Sequence, residues 1–94
     1  MKATSAHAVK RFEDIPNVGP AMARDFCALG LESPNDLKKV DPLVLYQKLS
    51  TIHGVRQDPC VLDTFMAVID FMNGAPPRPW WHYTKERKLR YTNL

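Results

Sequence analysis

The stretch Ile15-Pro16-Asn17-Val18-Gly19-Pro20 decides the fold of this chain, because it leaves room only for a tight turn between two helical segments. Apolar residues recur at helical spacing on both sides of it. They are Val9, Phe12 and Ile15 before the turn, and Met22, Phe26 and Leu29 after it. Pro16 ends the first segment because it has no backbone N–H to donate, and Pro20 suits the first turn of the next helix. The sequence therefore predicts a helical hairpin.

Two positions in this turn are predicted to have an unusual backbone. Gly19 has no Cβ, so we expect it to adopt a conformation that a side chain would strain. Asn17 tolerates the left-handed region better than most other residues, so it can occupy a turn position where a glycine is common. The unpaired N–H groups of such a turn and of the helix that follows can bind an anion.

These residues resemble the helix-hairpin-helix motif, whose usual form is apolar-Pro-Gly-apolar-Gly followed by a helix with small residues. The matching positions are Ile15, Pro16, Val18, Gly19 and Ala23. Asn17 stands at the usual first glycine, Pro20 offers no N–H, and Ala21 stands where many DNA-binding members have a lysine. The resemblance implies that the hairpin amides and the next helix N-terminus bind a nucleic-acid phosphate. The alternative is a hairpin that only joins two helices.

Length and composition describe one small folded domain of 94 residues, 45% hydrophobic and 24% charged. The longest apolar run, residues 65–69, is too short to span a bilayer. Residues 1–7 lack the apolar region of a signal peptide. Two cysteines do not make a disulfide framework. We therefore expect a cytoplasmic protein without a membrane association.

The charge is unevenly distributed between two parts of the chain. Residues 76–94 carry a net charge of +4, whereas residues 1–75 carry −1. We predict a helical bundle over residues 1–75 and a basic, Pro/Trp-rich extended tail over residues 76–94, with the Trp80-Trp81 pair folded back on the bundle. A basic segment of this kind indicates an anionic partner, or it is simply a solvated tail.

The bundle is predicted to be all-α, because no segment shows sustained period-two alternation. Proline-marked starts and helical spacing place five helices near residues 8–15, 20–29, 34–40, 42–53 and 59–73. The last of these is apolar on nearly every side, so it should lie at the centre. Asp63 and Asp70 are seven residues apart and are predicted to share a narrow exposed stripe on it. Gly54 is expected to cap the preceding helix.

A wider resemblance covers residues 8–88. The block Asp58-Pro59-Cys60-Val61-Leu62-Asp63 and the Trp80-Trp81 pair are its most specific parts. Together with the hairpin they are similar to the bacterial pathogenicity-locus family, whose members are often labelled mitomycin-resistance proteins. This resemblance implies a small SAM-like helical bundle with one helix-hairpin-helix motif. It also implies a link to DNA-related biology, without a biochemical activity that can be carried over.

Catalysis and metal binding are not expected. The carboxylates stand mostly at helix starts, where capping explains them. Cys27, Cys60, His53 and His82 lack the short spacings typical of zinc sites, so neither a metal nor a cofactor is predicted. A helix-start position would favour a Cys60 thiolate, but Asp58 and Asp63 oppose it, so a buried inert thiol is the favoured interpretation.

The function predicted from the sequence is weak, sequence-nonspecific and non-enzymatic binding of nucleic acid, in DNA repair or stress response. Phosphates would be bound by the hairpin and the basic tail, while a Trp stacks on an unpaired base or closes the core. The predicted binding residues are Asn17, Val18, Gly19, Ala21, Met22, Arg24, Arg78, Lys85, Arg87 and Lys88. The alternative is a protein–protein interaction module built on the same bundle. The sequence does not decide between DNA and a protein as partner, nor does it give the oligomeric state.

Overall fold

The computed structural model describes residues 2–92, and within that range the regular structure is entirely helical. The α-helices are α1 (Pro20–Ala28), α2 (Pro42–His53), α3 (Pro59–Met72) and α4 (Thr84–Arg90). The 3₁₀ helices are Ala6–Ala8, Phe12–Asp14, Pro34–Lys39 and Trp80–Tyr83. The all-α prediction is confirmed. Among the same residues, no helix combines the length and the apolar content needed to cross a bilayer.

The proline-marked starts are confirmed, and their caps explain them. The Asp41 carboxylate accepts the N–H of Leu43 at 2.8 Å at the start of α2. Asp58 accepts the N–H of Cys60 at 3.0 Å at the start of α3. Such caps satisfy donors that the first helical turn leaves unpaired. At its other end α2 stops at Gly54, which has φ 71° and caps the helix as predicted.

The first predicted helix, residues 8–15, is not an α-helix. It is replaced by two single-turn 3₁₀ helices, Ala6–Ala8 and Phe12–Asp14. The Asp14 carboxylate accepts the backbone N–H groups of Lys10 and Arg11, both at 3.0 Å. The Asp14 carboxylate thereby caps the start of the second 3₁₀ helix, and the extended backbones of Val9 and Arg11 prevent one continuous α-helix over residues 8–15.

The core is organised around α3, as its apolar sequence predicted. Phe65 and Phe26 pack with ring centroids 5.7 Å apart, and Phe26 packs on Phe12 at 5.2 Å. The hairpin therefore packs against the central helix through one row of aromatic rings. The fully buried large side chains are Phe26, Phe65, Phe71, Ile15, Leu37, Leu49, Leu62, Met72, Val18, Val68 and Asp63.

The prediction that Asp63 lies on an exposed stripe is wrong, although Asp70 is exposed. Asp63 is completely buried because α4 covers it. Arg87 donates from Nε to Asp63 Oδ1 at 2.7 Å, and Thr84 donates from Oγ1 to Asp63 Oδ2 at 2.7 Å. Both carboxylate oxygens are thus paired, as burial of a charge requires.

The C-terminal segment is helical where the sequence predicted an extended tail. Residues 75–79 have no regular secondary structure, whereas both the following 3₁₀ helix and α4 pack on α3. Tyr83 enters the core, whereas Trp80 is half-buried and Trp81 is 64% exposed. The last two residues of the predicted tail, 93–94, and residue 1 lie outside the described range.

Candidate nucleic-acid interface

The turn before α1 reverses the chain at Asn17. Asn17 has φ 75°, so the predicted left-handed conformation is confirmed. The predicted need for a glycine at position 19 is wrong. Gly19 has φ −101° and ψ −175°, and a Cβ added there would meet no atom within 4 Å. Because Asn17 already makes the reversal, Gly19 is simply the extended residue that leads into the helix.

The side chain of Asn17 joins this turn to the C-terminal segment. Its Nδ2 donates to the Arg78 carbonyl at 2.8 Å, and the Trp80 N–H donates to its Oδ1 at 3.2 Å. The carboxamide is therefore occupied by the protein itself. Its contribution to a binding site is to hold the turn and the Trp80-Trp81 segment together.

The N-terminus of α1 has no side-chain cap. The first helical hydrogen bond is from the Ala23 N–H to the Gly19 carbonyl, at 3.0 Å. Within residues 2–92, the N–H groups of Gly19, Ala21 and Met22 have no hydrogen-bond partner. Val18 differs, because it donates to the Ile15 carbonyl at 3.1 Å. Three free amides at the positive end of a helix dipole can hold an anion.

Three cationic side chains lie near this helix start, and sequence patterns singled out only one of them. Arg24 and Arg11 line one shallow cavity of about 380 Å³, whose wall also includes Pro20 and one acidic residue, Glu13. Lys2 donates from Nζ to the carbonyls of Glu13, at 2.6 Å, and of Val18. The Ala3 N–H donates to the Asp14 carbonyl at 2.7 Å, which brings the N-terminal segment to the hairpin. No local pattern in the sequence signals that contact.

The basic residues predicted to bind nucleic acid in the C-terminal segment differ in exposure and in hydrogen-bond partners. Arg87 has a side chain only 13% exposed and is bound to Asp63, so its guanidinium is already occupied by a partner within the protein. Arg78 is half-buried and donates from Nη1 to the Tyr83 hydroxyl at 3.2 Å. Lys85 and Lys88 are exposed, and neither has an acidic partner within 4.0 Å among residues 2–92.

The Cys60 thiol is poorly suited to act as a nucleophile. Cys60 is half-buried on α3, and burial, followed by the nearby Asp58, raises the pKa of its thiol above the ordinary value. Both effects disfavour the thiolate, which is the reactive form. Cys27 is exposed on α1. No group of three or more His, Cys, Asp or Glu side chains that could hold a metal occurs among residues 2–92.

A second exposed feature is an apolar groove between α1 and α2, with a volume of about 350 Å³. Leu29 from the end of α1 and Val44 and Ile52 from α2 line it. Val44 is 46% exposed and Ile52 is 50% exposed. Exposed apolar side chains that lie side by side are typical of surfaces that contact another protein.

Comparison with known proteins assigns the chain to a class. Residues 5–89 match the Cdd1 pathogenicity-locus family, and the chain belongs to that family. The resemblance to the pathogenicity-locus family inferred from the sequence is thereby confirmed. One relative is the mitomycin resistance protein McrB of Streptomyces lavendulae, which is 49% identical over 72 residues, covering 77% of this chain and 69% of the relative. No solved structure matches the chain.

Proposed function

We propose that this protein binds nucleic acid weakly, without sequence preference and without catalysing a reaction, by holding backbone phosphates at the start of α1. The observation that carries the proposal is the uncapped helix start with Arg11 and Arg24 beside it. Lys2, hydrogen-bonded to the Val18 carbonyl, adds a third cation at the same place. Amides and cations recognise phosphate, which is common to all sequences.

The small number of contacts supports weak binding. The α1 start and the two free lysines of α4 would neutralise about two to five phosphates, so the slope of log K against log salt should be about −2 to −4.5 on duplex DNA. Contacts of this kind position a protein on the backbone but do not distinguish one base pair from another. The turn at residues 15–20 and the start of α1 would then act as the phosphate-binding site of a helix-hairpin-helix motif.

The name of one relative supports a proposal for the cellular process in which this binding acts. The Streptomyces relative is named for resistance to mitomycin. We extend that name to a role of the present protein in DNA repair or a related stress response, acting as a DNA-binding component in the cytoplasm.

The test is to place a competing carboxylate on the free amides. Gly19→Asp has room for its side chain, and Asp is a preferred N-cap residue, so the variant should be slightly more stable than the parent. Its carboxylate would occupy and repel the phosphate position. Since a hydrogen bond to a charged group contributes roughly 1.5–3 kcal/mol, we expect about ten- to a hundredfold weaker DNA binding at about 20 mM salt.

Two further variants make this result specific. Gly19→Ser caps the same amides without a charge and should weaken binding less than Gly19→Asp. Gln47→Glu adds one negative charge at an exposed position of α2 and controls for net charge. Equal binding by parent and Gly19→Asp, with the expected gain in stability, would show that the α1 start is not a phosphate site.

The alternative function is a protein-interaction module, and the apolar groove between α1 and α2 favours it. In that case Ile52→Lys would abolish association with the partner, while DNA binding would be weak and carried by Lys85 and Lys88 alone. Changes at Gly19 would then leave DNA binding unaltered. The salt titration with the Gly19 variants therefore distinguishes the two functions.

A further inference from the structure

We propose that one exposed side of the C-terminal helical segment, formed by Trp81, Lys85 and Lys88 and here called the Trp81 face, binds single-stranded nucleic acid. One unpaired base would stack on the Trp81 indole, and the neighbouring phosphates would lie on the two lysines. The inference rests on the proposed nucleic-acid binding and deepens it by naming the form of nucleic acid that is preferred.

The first observation is an aromatic ring that is exposed and yet supported. Trp81 is 64% exposed, and the core position of this segment is filled by Tyr83, which is only 2% exposed. The Trp80 ring stands at 86° to the Trp81 ring with centroids 5.6 Å apart. Trp80 is itself held by its N–H to Asn17. The Trp81 indole thus has a firm support without being needed for the core.

The second observation is the register of the segment. The 3₁₀ helix Trp80–Tyr83 continues directly into α4, so positions three and four apart fall on one side. Trp81, Lys85 and Lys88 have these spacings, and all three are exposed. The adjacent side carries the residues of α4 that bind Asp63, which fixes the orientation of the whole segment.

The third observation is the charge left over after ion pairing. Arg90 lies 3.7 Å from Glu86, and Arg87 lies 2.7 Å from Asp63. Lys85 and Lys88 remain as the two cations of α4 without an acidic partner among residues 2–92. The Trp81 face therefore combines an accessible π-surface with two uncompensated positive charges.

This combination suits a single strand better than other anions. A single strand offers unstacked bases and phosphates together, and stacking of a base on an aromatic side chain contributes to binding whatever the base. A blunt duplex keeps its base faces stacked inside the helix. An acidic polypeptide supplies the negative charge but has no base to stack.

The experiment uses the intrinsic fluorescence of the protein, because the only two tryptophans in the chain are Trp80 and Trp81. The probes are an oligothymidylate of about 12 nucleotides, a blunt duplex of the same length and poly-glutamate, compared near 20 mM salt. We expect quenching by the oligothymidylate, weaker quenching by the duplex and almost none by poly-glutamate. Anisotropy of a labelled oligonucleotide supplies affinities for the variants.

Replacing the ring tests the stacking directly. Trp81→Ala should weaken binding of the oligothymidylate by on the order of 5- to 150-fold, the range that loss of one stacked base gives. Duplex affinity should change little. Trp81→Tyr should recover most of the loss, which a purely structural role would not require. Leu89→Ala removes another side chain of α4 that is 73% exposed and should leave binding unchanged.

The outcomes separate this inference from the function on which it rests. If Trp81→Ala binds the oligothymidylate as tightly as the parent does, the inference is overturned, while duplex binding that is lost in Gly19→Asp still supports the proposed function. If poly-glutamate competes as well as the oligothymidylate, the Trp81 face is a surface for acidic polypeptides. If the parent binds neither form of DNA at about 20 mM salt, the proposed function fails and the inference fails with it.

Discussion

The Arg87 guanidinium donates to the fully buried Asp63 carboxylate over 2.7 Å, and this pair fixes the last helix of the structure to the central one. Thr84 pairs with the second carboxylate oxygen, so the buried charge is fully satisfied from one side. The position of the Trp81 face therefore depends on an ion pair between residues 24 positions apart. Deleting residues 84–94 would remove both partners of Asp63 and uncover that side of α3, so point substitutions are the sounder way to test α4.

The first prediction concerns that ion pair. Arg87→Ala leaves an uncompensated buried carboxylate, and breaking a buried pair in this way costs about 3–5 kcal/mol of unfolding free energy. Urea unfolding followed by far-UV circular dichroism measures the loss. Lys88→Ala, one position along the same helix and exposed, should be nearly neutral. Similar stabilities for the two variants would mean that Asp63 does not depend on Arg87.

A second prediction separates the two roles of Asn17. Asn17→Gly keeps the left-handed backbone but loses both side-chain hydrogen bonds, each of which contributes about 0.5–1.5 kcal/mol. Asn17→Ala loses the same bonds and adds a left-handed strain of roughly 1–2 kcal/mol. Thermal and urea unfolding should rank the parent above Asn17→Gly, and Asn17→Ala last. A reversed order of the two variants would contradict the turn geometry.

The third prediction compares two glycines. Gly19 has an extended backbone with open space around a Cβ, so Gly19→Ala should change the unfolding free energy by no more than about 1 kcal/mol, the N-cap preference. Gly54 has equally open space but φ +71°, and Gly54→Ala should cost roughly 1–2 kcal/mol. Parallel thermal melts test the contrast. A larger loss for Gly19→Ala than for Gly54→Ala would be inconsistent with this structure.

The fourth prediction concerns thiol reactivity. Burial and Asp58 raise the pKa of Cys60, so little thiolate exists at neutral pH, whereas Cys27 is exposed. In the native state we expect one fast and one slow reaction with a bulky disulfide reagent. Cys27→Ser should remove the fast phase, and denaturant should make Cys60 fast as well. Rapid native labelling of Cys60 in the Cys27→Ser variant would reverse this assignment.

The fifth prediction is a loss of stability in acid. The backbone N–H groups of Glu32 and Ser33 lower the pKa of the Asp36 carboxyl below its usual value of 3.8. Because the folded-state pKa is lowered, the stabilisation is fully present above the unfolded-state pKa and disappears as the pH falls through the folded-state pKa. The stability difference between parent and Asp36→Asn should thus be largest near neutral pH and shrink below about pH 4. Glu32→Gln, which removes an equal charge nearby, should show no such trend.

Local chemistry made several features predictable. Prolines and capping aspartates define the starts of α2 and α3, and Gly54 the end of α2, because each acts on the few residues next to it. The left-handed turn at Asn17 follows from its tolerance of that conformation. Apolar composition on nearly every side of α3 predicted its burial, since a helix of this kind has almost no face for solvent. Sequence patterns also indicated the family.

The candidate site was predictable only in part. The free amides of the α1 start and the exposed Lys85 and Lys88 lie at positions that the sequence singled out. Lys2 and Arg11 were missed, and Arg87 was assigned to phosphate although it binds Asp63. These positions are set by contacts between distant parts of the chain, and helical periodicity carries no information about such contacts.

The sequence by itself determined α1, α2 and α3, the turn between residues 15 and 20 and the central position of α3, because each depends on neighbours within a few residues. Only the tertiary structure decided that Asp63 is buried, that residues 80–90 are helical and that Trp81 remains exposed. By charge and composition alone, an exposed Asp63 and a solvated C-terminal tail fit the sequence as well as the buried Asp63 and the packed helix that the structure shows. Burial of a carboxylate is stable only when a distant cation and hydroxyl pair with it, and that depends on how α4 packs against α3.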